Sequence, residues 1–415
     1  MTGRQPPAAP GRVAADEPPG PGQRVAGRGL LVAGILLIAI NLRAPLTVIG
    51  PLLSTISRQY ALSGTEAGVL NTLPLLAFAA FSPVVPRVSA RLGLERSLLL
   101  AVLVLAAGTV LRSVPSAAAL FAGTLALGVA IAVANTLLPV LVKRNFASRL
   151  STVTGLYVAT MGLGATLASG VAVPLAGAAP AGWHTAAGCW AALAVPAVAL
   201  WLPQLRRSPS GEAPAAGAVR GAHAAMPWRS PLAWQVTVFM GLQSLGFYVM
   251  VGWLPTLLES HGTSAHAAGW LVALYQSINL LVSLSLPALI DRTTGQRAIA
   301  VGCALCSAAG YTGLLLAPGA AIGWVLVAGV GTGGCFVLAL SFMALRAGEP
   351  RQTAALSAMA QSIGYLLAAG GPVLFGFLHD STGSWTGSLL MLLATALVLA
   401  TAGIGAGRPA RVAPR

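Results

Sequence analysis

Long apolar runs, each closed by a short polar or charged break, organise the chain from residue 29 onward. After Arg28 the next charges are Arg43 and Arg58, and the stretch between Arg28 and Arg58 suits one membrane-crossing helix, which needs about 20 mainly apolar residues. A second run lies between Glu66 and Arg87. Residues 97–142 hold two more, bent at Arg112 and Pro115. Residues 150–205 contain no Asp, Glu, Lys or Arg, too long a stretch for one helix, and the Gly-Ala-Ala-Pro-Ala-Gly run at 177–182 marks its turn. After a polar interval, runs follow at 232–257 and 265–290. Residues 298–345 hold two, bent at Pro318-Gly319, and the last pair occupies 353–378 and 385–406. The pattern predicts an all-α integral membrane protein with twelve transmembrane helices.

Residues 1–28, rich in Pro, Gly, Ala and Arg, are expected to form a disordered cytoplasmic tail. They lack the pattern of a cleaved signal peptide, so the first apolar run is read as a retained span. A six-helix bundle is expected over 29–205, and a solvated linker carrying Arg206, Arg207, Glu212, Arg220 and Arg229 over 206–231. A second bundle over 232–406 and a short cytoplasmic tail over 407–415 complete the organisation.

Composition strengthens this picture. Of the 415 residues, 56% are hydrophobic and 8% charged; a soluble domain carries about 25% charged residues. The net charge of +15 raises nucleic acid as a partner. The basic residues are scattered in short groups between apolar runs, which excludes a basic groove. With twelve spans both termini share one side. That side's tails and loops hold 21 of the basic residues, while Arg58 and Arg112 alone fall on the other. The positive-inside rule therefore predicts cytoplasmic termini in the cytoplasmic (cell) membrane. Cys189, Cys303, Cys306 and Cys335 lie in apolar runs. The Cys303-x-x-Cys306 pair has no His or acidic partner nearby and reads as packing. No phosphate-cradling loop is present, and no metal or cofactor is expected.

The halves repeat. A shift of 201 residues aligns Ser63 with Ser264, Gly68 with Gly269, Pro86 with Pro287, Arg91 with Arg292, Arg96 with Arg297 and Gly128 with Gly329. Apolar composition readily matches Leu and Ala by chance, but not Pro, Arg and Gly at loop ends. Parallel repeats of six spans follow, related by an axis along the membrane normal.

The loop PRVSARLGLER at 86–96 resembles the Gly/Asp/Arg/Gly motif of the major facilitator superfamily. It keeps Arg91, Gly93 and Arg96, but has Pro86 and Ala90 at the motif's first Gly and its acid. The second copy, PALIDRTTGQR at 287–297, keeps Asp291 and Arg292. The stretches NLRAPLTVIGPLL (41–53), FYVMVGWLPTLLESHG (247–262) and QSIGYLLAAGGPVLFGFLHDSTGSW (361–385) resemble the cyanate/nitroimidazole (CynX/NimT) branch. The resemblance implies two six-helix bundles around a central cavity, and solute passage by alternating access.

Candidate chemistry centres on Arg43. It stands fifteen residues from both Arg28 and Arg58, roughly 20 Å from either end of its helix. A charge there costs about 2.5 kcal/mol or more unless it faces a cavity or a partner. The functional reading is a guanidinium that binds an anionic or strongly polar solute; the structural one is a brace for carbonyls freed by Pro45. Asn41, two residues away, lies on a different helix face. Asn135, Tyr157, Gln243, Tyr248, Gln276, Asn279, Gln361 and Tyr365 are further deep polar residues and candidate cavity lining, as are Asn71 and Tyr275; packing by interhelical hydrogen bonds competes for each. Trp253 and Trp270 are expected in an interfacial aromatic belt. The nine acidic residues all sit in tails, loops or span ends, so no mid-span proton relay is visible. Glu66, Glu259 and Asp380 keep a coupling proton open.

These features point to a monomeric secondary transporter of a small polar or anionic solute. An integral-membrane enzyme lacks the deep carboxylate, His or Ser/Lys constellation it would need. A transport-inactive sensor or assembly protein of the same fold is the alternative, on account of Pro86 and Ala90.

Overall fold

A computed structural model describes residues 21–146, 149–207, 227–290, 292–293, 295–347 and 350–412. Most of the expected N-terminal tail and central linker, and the end of the C-terminal tail, lie outside these residues. Among the described residues, eleven helices are long and apolar enough to cross a membrane. They are α1 (Gly29–Tyr60), α3 (Leu94–Leu111), α4 (Ala117–Asn145), α5 (Thr152–Ala178), α6 (Trp183–Leu205), α7 (Pro231–Ser260), α8 (Ala265–Ile290), α9 (Arg297–Leu316), α10 (Pro318–Leu345), α11 (Ala355–Thr382) and α12 (Trp385–Ala406). The remaining span, α2, is a bent pair, Gly64–Phe81 and Val85–Leu92, turned by 66°. Pro83 and Pro86 flank that bend, where the missing N–H groups break the helical ladder.

Two features of the first span differ from expectation. The helix carrying α1 begins at Pro21, inside the stretch read as a disordered tail; proline suits a first helical turn because its missing N–H would be unpaired there anyway. The helix is interrupted at Val48, between Pro21–Thr47 and Ile49–Tyr60. The start of α2 is fixed by a capping box in which the Ser63 hydroxyl accepts the Glu66 N–H at 3.2 Å and Glu66 accepts the Ser63 N–H at 2.9 Å.

The apolar residues divide between core and lipid. Leu281, Leu284, Leu316, Ile322 and Phe377 are exposed on the outer surface, which only a hydrocarbon surround accommodates. Inside, the core has two parts. One buried cluster runs through α1–α6 and continues into the parts of α7–α12 away from the chain termini, including Leu254, Val272, Tyr311 and Phe375. The other is confined to the terminal side of α7–α12, with Phe239, Phe342, Met359 and Leu399. The bundles are thus fused on the face away from the termini (the far face) and have separate cores on the terminal face.

The internal repeat appears as contacts. Gly128 of α4 packs on Pro74 of α2, and Gly329 of α10 packs on the Tyr275 carbonyl of α8, each residue 201 positions on. The Arg144–Glu95 ion pair of the first half has its counterpart in the second, where Arg346 donates to the Gln296 side-chain oxygen.

Candidate functional site

Arg43 sits where the bundles meet. Pro45 leaves the Asn41 carbonyl without its helical N–H partner. The Thr47 hydroxyl donates to the Arg43 carbonyl at 3.1 Å and to the Ala165 carbonyl of α5 at 3.2 Å, which ties this part of α1 to α5. Among the described residues, the Arg43 side chain makes no ion pair and no hydrogen bond to a carbonyl. It is half-buried at the edge of a cavity between the bundles.

That cavity gathers six of the ten sequence candidates. Arg43 comes from α1, Gln243 and Tyr248 from α7, Gln276 and Asn279 from α8, and Tyr365 from α11. Periodicity explains part of this convergence, since Gln276 and Asn279 share one helix face at i, i+3. Gln276 also joins the bundles, donating to the Ser169 hydroxyl at 2.7 Å and the Ala165 carbonyl at 3.2 Å. Its side-chain oxygen has no partner, and neither has that of Gln243, whose amide nitrogen donates to Ser244 at 2.6 Å. Asn279 is held by a 2.8 Å bond to Thr332. Ser244, Phe247, Met161 and Phe336 complete the walls. Sequence reading did not single these out, because a Phe, Met or Ser in an apolar run looks the same whether it faces a cavity or a neighbour.

The other candidates are not among the residues that line this cavity. Asn41 is fully buried, and its amide donates to Leu37 at 2.7 Å and to the Leu193 carbonyl of α6 at 3.0 Å, which ties α1 to α6. Two residues along a helix are 200° around its axis, so Asn41 points away from Arg43. Tyr157 belongs to the apolar core, Asn135 is exposed on α4, and Gln361 donates to Ser357 at 2.8 Å within its own helix. Trp253 corrects the aromatic-belt expectation: it is buried and donates to the Pro372 carbonyl at 3.1 Å. Trp270 is exposed, as a belt residue would be. Arg112, read as an outer loop charge, is also buried, because α3, α4 and α6 close around it.

Toward the far face the bundles close above the cavity. The Thr72 hydroxyl of α2 donates to the Ala369 carbonyl of α11 at 2.7 Å. Asp380 of α11 accepts from the N–H groups of Gly64 and Thr65 at 2.9 and 2.8 Å. Close approach requires glycine at several places: a Cβ on Gly50 would strike the Val251 carbonyl, one on Gly68 the Pro372 carbonyl and one on Gly376 the Gly64 carbonyl. No cluster of His, Cys, Asp or Glu among the described residues could hold a metal.

Two helical bundles, a polar cavity between them and a seal on one side define a secondary transporter. The family profile of the Major Facilitator Superfamily matches residues 35–372 and 240–412. The chain is 45% identical over 381 residues to the 2-nitroimidazole transporter of Escherichia coli (strain K12), covering 92% of this chain and 96% of that one. It is 27% identical to the cyanate transport protein CynX of the same organism, over 85% and 90% of the two chains. In fold it matches the crystal structure of the nucleoside transporter NupG with a TM-score of 0.73 at 13% identity, covering 91% of this chain and all of that one. The protein belongs to the major facilitator superfamily, in the branch that contains these nitroimidazole and cyanate transporters.

Proposed function

We propose that the transported solute is a small anion or a compact, electron-rich polar molecule, and that Arg43 anchors it. The observation that carries this is a guanidinium at the central cavity with no carboxylate partner among the described residues. A cation without a fixed counter-ion draws a negative or dipolar guest. Its planar fork grips paired acceptor atoms, which lysine cannot do. A nitro-substituted imidazole, named for one relative, presents such a pair, and cyanate, named for another, brings a full negative charge. Tyr248, Tyr365, Gln243 and Asn279 supply further polar contacts, and Phe247 and Phe336 flank a flat guest.

The terminal face is cytoplasmic on this reading, in the cell membrane, supported by the 21 basic residues on that side. Residues 29–205 and 232–406 move as the two bundles, joined through 206–231. The cavity then serves alternately the two sides, closed to the exterior in the present arrangement. Proteoliposomes test it: entry of [14C]cyanate or a labelled 2-nitroimidazole above empty-liposome rates supports the reading, and no flux of any small anion or nitroimidazole contradicts it.

A further inference from the structure

A second, narrower cavity lies beyond Arg43 toward the far face. Arg43, Phe247 and Tyr248 belong to both cavities, and Asn71, Arg112, Thr47 and Thr124 line only the second. Arg112 closes α3 and is 1% exposed. One of its N–H groups donates to the Ala187 carbonyl of α6 at 3.3 Å, while its Nε is buried without a partner. The Asn71 amide nitrogen, on α2 across the same cavity, is buried without a partner too. Among the described residues Arg112 has no carboxylate within ion-pair distance.

Such an arrangement is costly for a purely structural arginine. A buried cation normally carries a counter-ion or a full set of carbonyl acceptors. One long hydrogen bond to Ala187 provides neither. The amide of Asn71 adds a donor where the chamber already has two guanidinium groups and no acid. What the chamber lacks is an acceptor bearing negative charge.

We propose that this cavity is a second anion subsite, a station for a small monoanion between the central site and the far side of the membrane. Arg112 Nε–H and the Asn71 amide hold the ion from the outer side, and Arg43 faces it from the inner side. Being common to both cavities, Arg43 passes the ion from one to the other. This rests on Arg43 anchoring the solute in the central cavity.

Equilibrium dialysis of the purified full-length protein against [14C]thiocyanate tests it. Thiocyanate has the linear monoanionic shape of cyanate but does not carbamoylate amines or thiols. The wild type is expected to bind two ions per chain at saturation. Arg112→Gln is expected to bind one; Arg43→Gln, which removes a cation from both cavities, is expected to lose the central ion and to hold the second more weakly, and the double variant is expected to bind none. Asn71→Ala leaves the Arg112–Ala187 tie intact and is expected to weaken the second ion at least threefold; it carries the test if Arg112→Gln does not fold. One ion in the wild type, with unchanged affinity in Arg112→Gln and Asn71→Ala, overturns the subsite and leaves the central site standing. Unchanged binding in Arg43→Gln overturns the central site instead, and no binding by the wild type overturns both.

Discussion

The Asp380 carboxylate accepts the Gly64 N–H at 2.9 Å and so ties the end of α11 to the start of α2, one bundle to the other. Its second oxygen takes the Thr65 N–H at 2.8 Å and hydroxyl at 3.0 Å. These N–H groups open a helix and have no partner within it, so an anion there meets both the free donors and the positive end of the helix dipole. The contact belongs to the closed far face and favours this arrangement.

Removing it should loosen the seal. Thr72 is buried beneath the α2–α11 contact and donates to Ala369. With Cys189, Cys303, Cys306 and Cys335 changed to Ser, a Thr72→Cys reporter should be alkylated from the far side severalfold faster in Asp380→Ala than in the parent. Equal rates would mean that the carboxylate does not hold the seal.

The glycine contacts make a separate prediction. Gly50 and Gly68 meet carbonyls of the opposite bundle, where a Cβ has no room. Gly50→Ala and Gly68→Ala should bar full closure of the far face. Transport should fall at least tenfold while elution from size exclusion stays normal. Flux within twofold of wild type in both variants would show that the two faces do not close this tightly during the cycle.

The two repeated pairs on the terminal face should differ in what they tolerate. Arg144 pairs with the Glu95 carboxylate in one half, and Arg346 bonds the neutral Gln296 in the other. Arg346 also donates to the Ala406 carbonyl at 2.7 Å and is 4% exposed; burial pulls its guanidinium below the ordinary arginine range. Glu95→Gln installs the second-half pairing in the first half and should cost little, roughly 1 kcal/mol or less. Arg346→Ala leaves the Gln296 oxygen and the Ala406 carbonyl unmatched and should cost about 2–4 kcal/mol. Thermal unfolding in detergent compares them, and a larger loss in Glu95→Gln would contradict the equivalence.

Orientation is tested by fusion reporters. Alkaline phosphatase at the C-terminus should be inactive and green fluorescent protein there bright, because 21 basic residues flank that side. Active phosphatase would invert the account of which side the seal faces.

Much of this architecture was legible because lipid imposes a coarse rule. Spans must be long and apolar, and charges mark their ends, so twelve spans and the repeat of 201 residues stand out from Gly128, Gly329 and the loop arginines. Arg43 was legible for the same reason, as a charge at a depth where charge is expensive. What sequence could not resolve was which way the uncharged polar residues face. Gln276 and Asn41 read alike, yet one lines the cavity and the other ties α1 to α6. Arg112 was misplaced for the converse reason. A charge at a span end beside a proline resembles a loop residue, and its burial arises only from how α3, α4 and α6 pack.

Solute recognition depends most directly on Arg43, and the decisive measurement is solute affinity in purified, monodisperse variants. Arg43→Lys keeps the charge and removes the fork; Arg43→Ala removes both. Losing charge-assisted hydrogen bonds of about 1.5–3 kcal/mol corresponds to roughly a 10- to 100-fold loss of affinity. Cyanate or 2-nitroimidazole binding, read by thermal shift against ligand concentration, should weaken in Arg43→Lys and fall by that larger factor in Arg43→Ala. Well-folded Arg43→Ala that binds with wild-type affinity would contradict it.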